Sequence, residues 1–238
     1  MEKRGIGHIE VILSFILFIG AVGFAVYYFV PEGTRYGDVS EDKVMESIVQ
    51  NISVEVISYS MYVNGSEVIG SNLLGVVISE PGNLNPVASS VQGINNFDVV
   101  KTADGFCLRR LLTNWPTRDF VYLKLSEDFT VFTSPDCSLA SYNPGYYTLA
   151  SRDSEKIASE KRIKKLNESY NIDYESLKKY FGIKSSNDFG FSFVFANGQK
   201  IEAQKDIPSG LEIYSANQKI KVIRNNTIEY GYLAVKVW

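Results

Sequence analysis

The sequence predicts a mainly β (α+β) fold in which an N-terminal transmembrane helix precedes an antiparallel β-rich extracellular domain with a short helical insertion. Three observations carry this expectation. Residues 11–30, VILSFILFIGAVGFAVYYFV, hold no charge. Beyond residue 52, short segments of alternating apolar and polar residues are separated by turn pairs such as Asn64-Gly65, Asn197-Gly198 and Asn225-Asn226. From Arg152 to Phe181 the composition shifts to lysine and glutamate, with apolar residues at helical spacing.

An apolar run of about 20 residues matches the hydrocarbon thickness at 1.5 Å per residue, so residues 11–30 are expected to cross the bilayer, and the helix is drawn over residues 6–30 by the resemblance given below. Lys3 and Arg4 precede the run, whereas Glu32, Asp38, Glu41, Asp42 and Glu46 follow it against only Arg35 and Lys43. That bias places the N-terminus inside and the bulk of the chain outside the cell membrane. Tyr27, Tyr28 and Phe29 suit the outer headgroup layer, and Pro31 with Gly33 stops the helix. Residues 31–43, PEGTRYGDVSEDK, have the composition of a linker, and the exterior domain is expected over residues 44–238.

Within that domain, residues 44–50 fit either a short helix or a strand. Residues 52–63, ISVEVISYSMYV, alternate as a strand, and Asn64-Gly65 then suggests a hairpin into residues 67–69. Residues 73–79 form another apolar run. Residues 80–96, with two prolines and several asparagines, read as a long loop. Strands are expected near 97–101, 105–111, 120–125 and 129–133. The helical insertion near 152–181 divides into two short helices: Ile163, Leu166 and Tyr170 share one face, and Asp173 caps a second helix bearing Tyr174, Leu177 and Phe181. Strands return over 189–195, 200–204, 220–223 and 228–237.

A net charge of -3 and a pI near 5.4 lack the cationic surplus that phosphate neutralisation requires, so no nucleic-acid partner is expected. The single histidine, His8, lies outside the predicted domain, and no cofactor or metal site is expected. A place at the membrane boundary suits it better than a proton switch. Asp188-Phe189-Gly190 copies a kinase tripeptide without the loop, lysine or catalytic motifs that accompany it, and it reads as a loop entering a strand. Lys161 to Lys165 is a basic run, but Glu155, Glu160 and Glu168 at helical spacing make it a solvated, salt-bridged face. Together these features argue against an enzyme.

Cys107 and Cys137, the only cysteines, suit one disulfide in an exported domain or two buried thiols. Asn51, Asn64, Asn167 and Asn225 each begin an N-glycosylation sequon, although Asn64 and Asn225 also suit turns. Tyr142, Tyr146 and Tyr147 around Asn143-Pro144-Gly145 suit either sheet core or an exposed contact loop.

The residues ahead of the apolar run are more specific. Gly5 follows two basic residues after the first two positions, Ile6 follows it, and Glu10 is the fifth residue after the glycine. This pattern resembles the class III signal of type IV pilins and their archaeal relatives. The resemblance implies a leader over residues 1–5, cleavage after Gly5 by a prepilin-type peptidase, Ile6 as the new N-terminus, and Glu10 as the family's fifth-position glutamate, which pairs with a neighbouring subunit's amine. It also implies membrane lipid, the peptidase and other pilin-like subunits as partners, and a surface role in assembly or adhesion. Alternatives are a simple signal anchor, a cleaved signal with Ala21, Gly23 and Ala25 near the cut, an anchored binding or surface-lattice protein outside any filament, and, more distantly, an exported carbohydrate-active enzyme using a carboxylate pair.

Overall fold

The computed structural model describes residues 6–29, 40–66, 68, 72–80, 82–91, 97–111, 115–130, 136–140 and 142–238, and the side chains of the first helix over residues 11–24. The chain divides into two units, Met1–Val39 and Ser40–Trp238. The first holds α1 (Ile6–Phe29). Among the described residues no helix is long and apolar enough to cross a membrane. The transmembrane helix predicted over residues 6–30 is corrected on that ground.

The second unit is mainly β. It opens with α2 (Glu41–Ile52), three residues ahead of the predicted domain start at 44. Ser40 caps it by accepting from the Lys43 amide, Glu41 and Asp42 complement the dipole in its first turn, and Val44, Met45, Ile48 and Ile52 form its buried stripe. The strands are β1 (Ser53–Val63), β2 (Leu73–Val76), β3 (Asn85–Ser90), β4 (Phe97–Thr102), β5 (Gly105–Arg110), β6 (Asp119–Ser126) and β7 (Tyr147–Ser159). Two helices follow, α3 (Glu160–Ile172) and α4 (Tyr174–Tyr180), with Asp173 capping α4 through the Ser176 amide. The chain ends in β8 (Phe189–Phe195), β9 (Lys200–Ala203), β10 (Tyr214–Arg224) and β11 (Thr227–Val237).

Eight strands form one sheet in the order β3-β6-β1-β7-β10-β11-β8-β9, and β2-β5-β4 form a second. The large sheet is antiparallel except at its centre. There β7 and β10 run parallel and pair only at Val222–Ala158 and Ile223–Ser159, the one departure among the described residues from the antiparallel pairing expected of this domain.

Pleat parity explains where the cores lie. In β1, Ile57, Tyr59, Met61 and Val63 point to one face and meet Leu123, Leu125, Leu74, Phe106 and Leu108, so the small sheet covers that end. Following the register from Ser53 through Ala158 and Val222 to Leu233 and Val235 keeps the same face, which is where Phe189, Phe191 and the apolar stripes of α2, α3 and α4 pack. Val54 and Val56 have the opposite parity. With Ile157 and Ile223 they form a small patch on the other face, closed by Phe129, which is 2% exposed. Val87 and Ile228 pack on the rim of that patch, Ser60 and Ser126 are also buried on that face, and Tyr230 and Tyr232 are exposed there.

Further expectations change with the structure. The helical insertion begins at Glu160, not near 152, because residues 152–159 continue β7. One edge of β7 is bonded to β1 throughout while its residues 148–154 stay exposed on both faces, so backbone pairing holds a charged sequence in a strand. A register shift at Ser60/Met61 skips Ala150, a bulge that the alternation does not disclose. Within the predicted 80–96 loop, β3 is an edge strand, where Pro86 is tolerated for lack of a second partner. Asn64-Gly65 does not make a hairpin: its amides bond to Tyr146 and Thr117 carbonyls, and β1 pairs with β6 and β7. Of the expected 129–133 strand, Phe129 is the core plug and residues 131–135 lie outside the described residues.

Candidate functional site

Gly5 lies outside the described residues, and Ile6, His8 and Glu10 are described only as helical backbone in α1. The adjoining stretch is the most unusual surface of the molecule. Over residues 11–24, ten large apolar side chains from Val11 to Phe24 are between 44% and 69% exposed. Positions 11, 12, 13, 15, 16, 17, 18 and 19 take in every face of a helix with 3.6 residues per turn. A helix that is apolar all round is covered in its working state, since a surface helix shows a single stripe.

In the second unit, Cys107 and Cys137 form a disulfide with their Cα atoms 6.3 Å apart. Cys107 is fully buried on β5, so the bond ties the small sheet to the segment that leads into β7. The sequon asparagines are scattered. Asn51 lies in the last turn of α2 and is half-buried. Asn64 follows β1, and its Oδ1 accepts from the Ser66 hydroxyl at 2.7 Å. Asn167 sits within α3 with Oδ1 buried and unpartnered. Asn225 alone of the four is exposed, at the β10–β11 turn, where it and Asn226 adopt φ of 47° and 62°.

The tyrosines of the 142–147 loop are structural. Tyr142 donates to Thr102 Oγ1 at 2.7 Å, the Tyr147 hydroxyl accepts from the Val77 amide at 2.9 Å, and the Tyr146 and Tyr147 rings pack on the core between the sheets. The exposed-contact alternative for this loop is therefore not what forms. Most of the basic run on α3 is paired, but of the expected Glu155, Glu160 and Glu168 only Glu160 takes part, with Lys164: Arg162 pairs with Glu127 and Asp128 and Lys161 with Asp128, while Glu155 lies in β7 and pairs with Lys221.

Two polar networks could carry chemistry by composition. In the first, Tyr59 donates to Glu80, and Arg152 Nε donates to the Tyr59 oxygen at 3.0 Å and to Glu80 at 3.2 Å. Burial, with the Glu80 bond next, pushes the Tyr59 phenol above its ordinary value, which disfavours the phenolate that a nucleophile needs. In the second, the Lys178 side chain is 5% exposed and donates to Asp188 Oδ1 and to the Ser185 carbonyl, each at 3.1 Å. Tyr174 donates to Asp188 at 2.8 Å, and Tyr170 to the Phe189 carbonyl at 2.6 Å. Burial pushes Tyr170 up to about 12 and raises Tyr174 as well. Burial also pulls the Asp188 carboxyl upward, but the Tyr174 and Lys178 hydrogen bonds outweigh it and hold the group below its ordinary range. All four side chains are spent on holding the start of β8, where Asp188 also exchanges two backbone hydrogen bonds with Trp238. Asp188-Phe189-Gly190 is thus the entry to a strand.

Among the described residues, no three histidine, cysteine or acidic side chains are grouped to hold a metal ion. What the sequence reading missed is a pair of exposed tyrosines, Tyr230 and Tyr232, on the open face of β11. The signal was their two-residue spacing, opposite in phase to Leu233, Val235 and Val237. No protein family matches the chain, and no curated protein or solved structure does either.

Proposed function

We propose that the chain is a surface-exposed, pilin-like structural subunit that assembles through α1 and presents its disulfide-bonded β-rich unit for assembly or adhesion. The exposed apolar surface over residues 11–24 carries this proposal, because burying even half of ten such side chains contributes several kcal/mol at about 1.5–3 kcal/mol per fully buried residue. Copies of the same helix supply a matching apolar cover. In that setting a prepilin-type peptidase removes residues 1–5 and frees the amine of Ile6. Glu10 then neutralises a neighbouring subunit's amine, which offsets the cost of a carboxylate among packed apolar helices.

The test is co-purification of two differently tagged full-length copies from the same cells. The wild-type pair is expected to co-purify. A Leu13→Glu/Leu17→Glu variant should lose the interaction, and Glu10→Ala should weaken it while leaving cleavage intact. Separate purification of the wild-type copies, or equal co-purification of the Leu13→Glu/Leu17→Glu variant, would overturn the assembly role. The exposed tyrosines on β11 favour a second role, a surface binding protein outside any filament, and that role predicts wild-type copies that purify apart.

A further inference from the structure

The open face of the large sheet carries a built surface at β10, β11 and β8. In β11, a strand hydrogen-bonded on both edges, Leu233, Val235 and Val237 point into the helical core while Tyr230, Tyr232, Ala234 and Lys236 point outward. Tyr230 and Tyr232 are 53% and 58% exposed on successive outward positions, about 7 Å apart along the strand. Two rings of this size on a rigid strand, left uncovered, are not the usual scatter of single exposed apolar residues.

Lysines outnumber the carboxylates around them. Lys219 stands opposite Tyr232, with its Nζ 4.5 Å from the Tyr230 ring centroid. Lys221 stands opposite Tyr230 and pairs with Glu155 at 2.6 Å, while Lys200 pairs with Glu202 at 2.7 Å. Lys236 reaches Gln204 at 3.3 Å. Four lysines meet two carboxylates, which leaves Lys219 and Lys236 without an acidic partner among the described residues. Of the other outward positions nearby, Val194 stands beside Tyr232 and is half-buried, while Ser192, Ser215 and Asn217, beside Ala234 and Lys236, are small and hydrogen-bonding.

We infer that this face binds an acidic polysaccharide, with Tyr230 and Tyr232 lying against sugar rings and Lys219 and Lys236 meeting carboxylate or sulfate groups. A pyranose ring offers one face of C–H bonds to the negative face of an aromatic ring, and its hydroxyls match the serine and asparagine side chains. A protein partner would ask for a larger contiguous apolar area than two tyrosines and the half-buried Val194 supply. A nucleic acid would draw on many cations tracking its phosphates, where this face has two unneutralised ones in a chain of net charge -3. The site goes beyond the assembly role and does not depend on α1.

Titration of the full chain with alginate, a polyuronate, tests it, with dextran and a single-stranded oligodeoxythymidylate as comparators. Alginate should bind best, and added salt should weaken it. Tyr230→Ala/Tyr232→Ala and Lys219→Gln/Lys236→Gln should each weaken alginate binding at least about tenfold with unchanged thermal midpoints. Failure of wild type to bind alginate, equal binding by either double variant, or tighter binding of dextran or the oligonucleotide would overturn the inference. Because the readout is ligand binding, co-purification of tagged copies fails or succeeds separately from it.

Discussion

Replacing Cys107 and Cys137 together by alanine tests what the disulfide contributes to the β-rich unit. The bond closes a separation of 30 residues. In the chain-entropy treatment, the denatured ensemble loses about 2.1 + 1.5R ln 30, or roughly 12 cal/mol/K, which is about 3.6 kcal/mol at room temperature. That corresponds to about a 400-fold change in the folded-to-unfolded ratio. Alanine is the appropriate replacement because Cys107 is fully buried and a serine hydroxyl there would add its own desolvation cost. In equilibrium urea unfolding, a stability loss of that size divided by a slope of about 2–3 kcal/mol/M lowers the midpoint by roughly 1–2 M. Wild-type protein reduced and alkylated in the unfolded state provides a second comparison. A double variant whose midpoint falls by less than about 0.3 M would refute the idea that this bond restrains the unfolded chain.

Other consequences concern the two cores and the buried network. Phe129→Ala should cost about 3 kcal/mol in urea unfolding, because the buried ring packs on Val54, Val56, Ile157 and Ile223 where only the half-buried Val87 and Ile228 also cover them; a cost below about 1 kcal/mol would mean the patch tolerates solvent. Asp188→Ala should destabilise more than Lys178→Met, since the first strands a buried ammonium and the second removes it; the reverse order of thermal midpoints would contradict the pairing. Tyr170 has a phenol pKa raised from about 10 in the unfolded chain to about 12 when folded, so its contribution is complete below pH 10 and is lost as pH rises through 12. Urea midpoints should therefore fall across that interval, and less steeply in Tyr170→Phe; equal slopes for the two proteins would contradict it.

How much of this was legible depended on whether local pattern or distant pairing decided the element. The Asp173 cap, the Ile163, Leu166 and Tyr170 stripe, and the Asn225-Asn226 turn are local, and each appears where its residues predict. Residues 152–159 and Pro86 sit in strands because neighbours far along the chain bond their backbones, which side-chain composition does not encode. The switch of buried face between Val56 and Ile57 shows in β1 as two adjacent apolar residues, but the sequence does not say what covers each side. The same holds for Tyr230 and Tyr232: their period is visible in TIEYGYLAVKV, whereas which phase faces the core follows only from β10 and β8. The Lys178–Asp188 pair was hidden because the partner of Lys178 arrives from the loop after its helix.

The central claim, a pilin-like subunit released for assembly by leader removal, is tested most directly by the N-terminal residue of the protein purified from its own cells. Sequencing or mass spectrometry of the terminal peptide should find Ile6, with residues 1–5 absent, and Gly5→Asp should leave them attached. A mature protein that begins at Met1 or Glu2, or near Phe24 to Val26, would contradict the claim, because in none of these is Glu10 the fifth residue of the mature chain.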